Sequence, residues 1–239
     1  MNPELDERTR RLLGDGAVKR LAALRILVAG VGGVGGYAAE ILCRAGVGRL
    51  VFVDADRFAL SNRNRQLHAL ASTEGEAKAE VVARRCRDID PEGEFTALCR
   101  RITVDNAGEM LAECAPDAVI DAIDDVPAKC ALLLAAYRAG IPVVSSMGAG
   151  AKLDPARISV ADIGRTSGCP LARAVRSRLR AKGVTRGIRC VCSPEPRVLR
   201  PEAGGFGTIS YMPALFGIRA AAEVLRLLLA APGSVPEER

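Results

Sequence analysis

A glycine-rich turn between an apolar strand and a helix constrains this chain more than any other feature. The stretch ILVAGVGGVGGYAAEIL, residues 26–42, is typical of a buried strand, a tight turn and a helix. Gly30, Gly32 and Gly35 match the spacing G-x-G-x-x-G, and Gly33 and Gly36 are further glycines in the same turn. This pattern lets the backbone approach a phosphate at a helix N-terminus. The turn predicts a nucleotide site and, taken alone, favours NAD or FAD.

Strands and helices alternate along the chain from residue 25 to residue 150. Apolar strands are predicted at residues 25–30, 49–56, 94–102, 117–125 and 141–150, with helices between them. Such alternation predicts right-handed βαβ units in an α/β fold, with a Rossmann-like, doubly wound, mostly parallel sheet.

The alternation changes after Gly150. The stretches ARISVADIG and IRCVCSPEPRV are predicted as strands that flank an Arg-rich helical insert, and a last helix is predicted over 211–230. These elements predict an antiparallel extension at the C-terminal side, and residues 4–24 predict a helical arm before the first strand. We expect one domain over residues 1–239, with a nucleotide-binding core at 25–150 and a substrate- and dimer-side extension at 151–239.

Positive charge is concentrated in the Arg165–Arg200 segment. It holds ten basic residues and a single acid, Glu195, whereas the whole chain carries a net charge of +6. Such a segment suits a polyanion, and the plainer alternative is a solvated helix face. Aromatic residues make up only 3% of the chain, which argues against a base-stacking platform.

Several classes of protein are not expected from the composition. The eight cysteines form no C-x-x-C pair, so no structural zinc is expected and the thiols are interpreted as packing groups. The N-terminal residues lack the apolar region of a secretory signal, so a cytoplasmic protein is expected. Arg219, Glu223 and Arg226 form a polar stripe on the last helix, so a membrane role is not expected.

Charged residues after the second strand favour ATP over a dinucleotide. Asp54 and Asp56 end that strand, where a carboxylate can accept hydrogen bonds from ribose hydroxyls. Arg63 and Arg65 follow in NRNRQ, and Lys78 lies on the next helix. Cations that converge on a nucleotide suit a triphosphate, because its terminal charge must be neutralised as pyrophosphate leaves.

Asp124, at the end of the fourth strand, is a candidate ligand for Mg²⁺ bound through the phosphates. Each of these residues could instead have an ordinary structural role. Lys78 suits a solvated helix residue, Arg65 a surface ion pair and Asp124 a helix N-cap. The complete set in this order favours the nucleotide interpretation.

The motifs GVGGVG, VDAD, NRNRQLHAL, AKAEV and DAIDD, with a lysine after the last, resemble the ubiquitin-activating-enzyme-like, ThiF-type adenylating superfamily. Within it, RQLHAL, GAGAKLDP, PLARAVRSRLR and GGFG resemble the branch of tRNA threonylcarbamoyladenosine dehydratases. The resemblance extends from about Arg8 to the last helix.

The resemblance implies roles for individual residues. Arg8 would reach the ATP site of a second subunit in a homodimer, and Asp124 would hold the Mg²⁺. The implied catalytic set is Arg8, Arg65, Lys78 and Asp124. The implied ATP-binding set is Gly30, Gly32, Gly33, Gly35, Asp54, Asp56, Asn64 and Gln66.

The activity implied by the resemblance is ATP-dependent cyclisation of N6-threonylcarbamoyladenosine in tRNA through a carboxyl-adenylate. The anticodon stem-loop would contact the Arg165–Arg200 segment. Two alternatives remain: an adenylyltransferase that activates the C-terminal glycine of a small sulfur-carrier or ubiquitin-like protein, and a nucleotide-sensing scaffold without activity. The sequence leaves open a monovalent cation and a sulfur-transfer protein partner.

Overall fold

The computed structural model describes residues 4–199 and 205–230. One sheet of seven strands forms the centre of the molecule. The strands are β1 (Arg25–Ala29), β2 (Arg49–Val53), β3 (Glu94–Leu98), β4 (Ala118–Asp121), β5 (Val143–Ser146), β6 (Ser159–Asp162) and β7 (Arg189–Cys192). Their order is β3-β2-β1-β4-β5-β7-β6, and only the β6–β7 pair is antiparallel. The predicted doubly wound sheet with an antiparallel extension is confirmed.

Helices cover both faces of this sheet. They are α1 (Glu7–Leu13), α2 (Asp15–Ala23), α3 (Gly35–Arg44), α4 (Lys78–Ile89), α5 (Ala107–Cys114), α6 (Val126–Arg138), α7 (Pro170–Arg180) and α8 (Tyr211–Leu229). The predicted N-terminal arm consists of two helices, because the backbone at Gly14 adopts a φ of 81° between them. The predicted Arg-rich insert is α7.

Alternating side chains of β1 show how the core is divided. Ile26 and Val28 pack with α3, α4 and α8, whereas Leu27 and Ala29 pack with α5, α6 and α7 on the other face. Because β1 is covered on both faces, side chains that point to either face must be apolar, which explains the nearly continuous apolar sequence RILVA.

Several strands are shorter than the sequence predicts. β2 ends at Val53 and β3 at Leu98, where residues up to 56 and 102 were expected. The residues that follow each strand line a cavity instead of continuing the sheet. Parallel strands all end at the same edge, so these polar residues are brought together there.

α8 is a packed helix. Its Glu223 is buried and accepts from Arg189 of β7 at 2.9 Å and from Arg226 at 2.8 Å. Gly217 permits close contact with α3, since a Cβ there would lie 2.2 Å from the Val34 carbonyl oxygen. Among residues 4–199 and 205–230, no helix combines the length and apolarity needed to cross a bilayer.

Candidate nucleotide-binding site

A cavity of about 1170 Å³ opens at the carboxyl ends of β1, β2, β4 and β5. The order in which strands are added to the sheet reverses between β1 and β4, since β2 and β3 lie on one side of this parallel pair and β5 lies on the other. Ligands of doubly wound proteins bind outside this switch point, because the loops on either side diverge and leave a crevice. The fold therefore places the cavity where a nucleotide is expected.

Most of the predicted site residues line this cavity. Arg8 does not: it is exposed on α1, within the N-terminal arm. Gly35 does not line it either. The residues that do are Gly30, Gly32, Gly33, Asp54, Asp56, Asn64, Arg65, Gln66, Lys78 and Asp124.

Two glycines of the motif are required by close backbone contacts. Gly30 has a φ of 81°, and a Cβ there would lie 2.9 Å from the Ala122 carbonyl oxygen of the neighbouring strand end. At Gly35 a Cβ would lie 1.7 Å from the carbonyl oxygen of Gly30. Gly35 therefore has a packing role, because it lets the start of α3 lie against the turn, and its assignment to the nucleotide stays a prediction.

We expect Gly35→Ala to destabilise the protein by about 3 kcal/mol or more, because backbone atoms cannot move away as a flexible side chain would. Gly108 on α5 is a matched control, since a Cβ there has no neighbour within 4 Å. Gly108→Ala should stabilise by about 0.5–1 kcal/mol through helix propensity. Urea unfolding of both variants measures the difference; equal midpoints would contradict the packing role.

Asp54 links the end of β2 to the glycine turn. Its Oδ2 accepts from the Val31 backbone N–H at 2.8 Å and its Oδ1 from that of Asp56 at 2.9 Å. The side chain is half-buried and lines the cavity. Because each carboxylate oxygen has further lone pairs, Asp54 can also accept from a sugar hydroxyl.

Lys78 is not a solvated helix residue. It begins α4, is 7% exposed and lies with its Nζ 3.2 Å from Oδ2 of Asp56. The other oxygen of Asp56 accepts from Arg101 at 3.1 Å. A lysine and an arginine are thus held at the cavity wall by one exposed carboxylate, whose contacts a phosphate can replace.

The two arginines of NRNRQ have different surroundings. Arg65 lines the cavity, and its Nη1 donates to the Ser61 carbonyl at 2.9 Å and to Oδ1 of Asn64 at 2.8 Å. It has no carboxylate partner within the described ranges. Arg63 forms an ion pair with Glu74 and lies outside the cavity lining, so the prediction that Arg63 converges on the nucleotide is wrong.

The N-cap of α6 is Asp125 and not Asp124. The Oδ1 of Asp125 accepts from the Ala128 backbone N–H at 2.9 Å, which satisfies a free donor of the first turn. Asp124 is exposed on the cavity wall and has no hydrogen-bond partner in the part of the chain that the structure describes. A free carboxylate beside a phosphate site fits Mg²⁺, which usually takes one or two carboxylates together with phosphate oxygens.

No group of three or more His, Cys, Asp or Glu side chains in the described residues could hold a metal ion. The thiols of the strands instead pack in the interior. Cys190 is fully buried, and burial raises the pKa of its thiol. Cys169 caps α7, with its Sγ accepting from the Gly148 and Ala172 backbone N–H groups at 3.4 and 3.5 Å.

A buried ion pair supports the segment that carries Asp124. Lys129 of α6 lies with its Nζ 2.7 Å from Oδ2 of Asp121, and both side chains are fully buried. Lys129 also donates to the Ile123 carbonyl at 2.9 Å, and Ser145 donates to Asp121 at 2.6 Å. This network fixes the ends of β4 and β5. Lys129 is the lysine that follows the motif DAIDD, and the sequence alone predicts no role for it.

A second charged cluster lies behind the glycine turn. Glu40 of α3 accepts from Arg44 at 2.8 Å and from Arg85 of α4 at 3.2 Å. His68, which is buried against Gly36, has its Nε2 3.7 Å from Glu40. His68, with Arg85 and Arg44, lowers the pKa of the Glu40 carboxyl to about 2 in spite of its burial.

The pKa of Glu40 in the folded protein lies below the usual 4.5. The contribution of its carboxylate to the free energy of unfolding is therefore complete above pH 4.5 and is lost as the pH falls towards 2. We expect Glu40→Gln to cost about 1–2 kcal/mol at neutral pH, a value reduced for the solvent around both arginines. The difference from the wild type should shrink between pH 4.5 and about 2 in urea unfolding. Glu76, whose side chain is 37% exposed beside Arg84, is the control, and an equal effect of Glu76→Gln would contradict this account.

Only part of the Arg165–Arg200 segment is free to meet a polyanion. Arg176 donates to Thr166, and Arg189 pairs with Glu223. Arg200 lies outside the described residues. The exposed basic residues on and around α7 are Arg165, Arg173, Arg178, Arg180, Lys182 and Arg186.

Comparisons with known proteins agree with this geometry. The model of the ThiF family matches residues 6–238. The tRNA threonylcarbamoyladenosine dehydratase of Escherichia coli K12 is 37% identical, over 93% of this chain and 92% of that protein. Its namesake in Bacillus subtilis 168 is 40% identical, over 82% and 77%. A crystal structure of the E. coli enzyme in complex with ATP matches with a TM-score of 0.90 at 38% identity, over 98% and 97% of the two chains.

Proposed function

The chain belongs to the ThiF family, and on this premise we propose that it is an ATP-dependent tRNA threonylcarbamoyladenosine dehydratase. The observation that supports this proposal most directly is that Arg65, Lys78 and Asp124 line the same cavity as the glycine turn. Two cations and a free carboxylate suit a magnesium triphosphate that is cleaved during the reaction. Relatives over most of the chain carry the same name, and ATP binds to one of them.

The reaction converts a poor electrophile into a good one. A carboxylate oxygen of the threonyl group attacks the α-phosphorus of ATP, and the bond to the β-phosphate oxygen breaks as pyrophosphate leaves. The carbamoyl nitrogen or oxygen then attacks the acyl carbon and loses a proton. AMP departs with the former carboxylate oxygen, so the nucleoside has lost one water. Ring closure is intramolecular, so correct positioning supplies much of the acceleration.

The protein contributes charge and alignment to these steps. We assign the turn around Gly30 and Gly32 to the phosphates, Asp54 to the ribose, and Arg65 and Lys78 to the charge that develops on pyrophosphate. Asp124 would hold a Mg²⁺, which neutralises phosphate oxygens when it is bound. Donors fixed before the reaction need no rearrangement at the transition state.

We further propose that the anticodon stem-loop lies along the exposed arginines of α7, since α7 begins at the cavity: Cys169, Pro170 and Leu171 all line it. Each phosphate contact releases counterions, so binding should weaken steeply with salt. Arg8, exposed on α1, would complete the ATP site of a second copy in a homodimer.

The production of AMP separates the proposed activity from its alternative. With ATP and Mg²⁺, we expect AMP to form when threonylcarbamoylated tRNA is added and not when unmodified tRNA is added. Stimulation by a small sulfur-carrier protein, with indifference to tRNA, would instead establish a carrier-protein adenylyltransferase. ATP binding without AMP under any of these conditions would establish a nucleotide-binding scaffold.

A further inference from the structure

One wall of the cavity takes no part in the nucleotide contacts assigned above. It is formed where three segments, 150–152, 195–198 and 206–208, meet. The Ala151 backbone N–H donates to the Gly207 carbonyl at 2.9 Å, and that of Val198 donates to the Ala151 carbonyl at 2.8 Å. Asn64 donates from its side chain to the Thr208 carbonyl at 3.1 Å. We call this the acceptor wall; it is continuous with the loop that carries Arg65.

Lys152 places a buried positive charge in the acceptor wall. The residue is 2% exposed and lines the cavity, and its Nζ donates to the Glu195 carbonyl oxygen at 2.7 Å. The Glu195 carboxylate contacts other donors, since it accepts from the Leu153 and Asp154 backbone N–H groups at 3.0–3.1 Å. In the described residues, no carboxylate lies within 4.0 Å of the Lys152 ammonium.

An ammonium group has three donors, and the contacts above use one of them. Burial of a cation whose only partner among the described residues is a neutral carbonyl is costly unless another group completes its coordination. An anion bound in the cavity that Lys152 lines would complete this coordination. The acceptor wall is thus suited to a ligand with a negative charge.

Phe206 gives the same wall an aromatic surface. It is 60% exposed although it lines the cavity, and the Arg197 guanidinium lies 5.0 Å from its ring centroid. Gly150 allows this position, since a Cβ there would lie 2.5 Å from Cε2 of the ring. An exposed ring beside an arginine is the arrangement on which unpaired bases stack. Because the chain contains so few aromatic residues, its composition did not predict this stacking surface.

We propose that the acceptor wall is the subsite for the modified adenosine: the base stacks at Phe206 and Arg197, and the carboxylate of its side chain pairs with Lys152. The ligand class is therefore an aromatic base that carries an anionic arm. Its identity as threonylcarbamoyladenosine rests on the proposed function. Held in this way, the carboxylate lies in the same cavity as the phosphates it must attack.

Binding of two RNAs tests the subsite without turnover. The probes are an anticodon stem-loop with and without the threonylcarbamoyl group, and a non-hydrolysable ATP analogue fills the nucleotide site. Wild-type protein should prefer the modified RNA, and Lys152→Met should lower that preference about 10- to 100-fold. Phe206→Leu should weaken the binding of both RNAs about 5- to 100-fold. Lys152→Arg and Phe206→Tyr should retain most of the wild-type behaviour.

Lys19→Met is the matched control, because it removes the same charge from an exposed position on α2. Unchanged affinity for the ATP analogue shows that a variant is folded, and Phe206→Leu, at an exposed position, provides the test if Lys152→Met does not fold. Wild-type protein that does not distinguish the RNAs, or Lys152→Met with full discrimination, would overturn the subsite. Discrimination without AMP formation would overturn the proposed function and leave the subsite standing.

Discussion

Replacement of Arg65 by alanine is expected to lower kcat/KM for AMP formation about 100- to 1000-fold, the loss typical when one fixed donor is removed from a developing charge. Arg65 lines the cavity and has no carboxylate partner in the described chain, so its charge is available to the nucleotide. The measurement is the rate of AMP release with saturating modified tRNA and varied ATP. Lys78→Ala and Asp124→Ala should show losses of the same kind.

Arg63→Ala is the control for this experiment, since the two arginines are two residues apart and carry the same charge. Arg63 is held by Glu74 outside the cavity lining, so its removal should leave kcat/KM for ATP nearly unchanged. Equal losses in the two variants would mean that the loop acts through its overall charge, and the assignment of Arg65 would then be wrong.

Lys129→Met is expected to lower the free energy of unfolding by about 3–5 kcal/mol, because it leaves the Asp121 carboxylate charged and unpaired in the core. Both side chains are fully buried, and the 2.7 Å pair joins α6 to the end of β4. Methionine has nearly the volume of lysine, so the lost free energy of unfolding reports the removal of the charge and not the creation of a cavity. Urea unfolding at neutral pH gives the comparison.

The double variant Lys129→Met/Asp121→Asn shows whether charge is the cause. A neutral amide can still accept from the Ile123 N–H and donate to the Ser145 hydroxyl, so it should recover a large part of the loss. Arg84→Met, at the exposed pair with Glu76, should leave the unfolding midpoint nearly unchanged. Full destabilisation in the double variant would contradict the electrostatic explanation.

The sequence predicted the sheet and the place of the cavity because both follow from local patterns. Apolar runs alternate with helices, and the glycine motif marks the turn after β1. Parallel strands end at one edge, so acids and cations that follow them in sequence must lie close together. On this rule we expected Asp54, Lys78 and Asp124, which come from separate parts of the chain, to lie close together, and all three line one cavity.

The direction in which individual side chains point could not be predicted from the sequence. Asp124 and Asp125 are adjacent and identical in chemistry, and the helix geometry decides that the second is the cap. Arg63 and Arg65 are separated by a single residue, and the turn between them directs only one into the cavity. Gly35 fits a phosphate motif, yet a side chain there is excluded by the Gly30 carbonyl oxygen, which a Cβ would meet at 1.7 Å.

The acceptor wall was missed for a different reason. Lys152, Arg197 and Phe206 come from three segments whose approach is set by long-range backbone hydrogen bonds. No local pattern predicts that a lysine in GAGAKLDP will be buried without an acid. The signal that could have been used is the phenylalanine in GGFG, which stands among small, flexible residues in a chain with little aromatic content.

Mass analysis of the nucleosides of tRNA tests the central claim most directly. Threonylcarbamoylated tRNA is incubated with the protein, ATP and Mg²⁺, digested, and compared with a reaction that lacks ATP. We predict that the modified adenosine loses the mass of one water, only with ATP and in equal amount to the AMP released. A modified adenosine of unchanged mass, with active protein shown by its binding of ATP, would contradict the account.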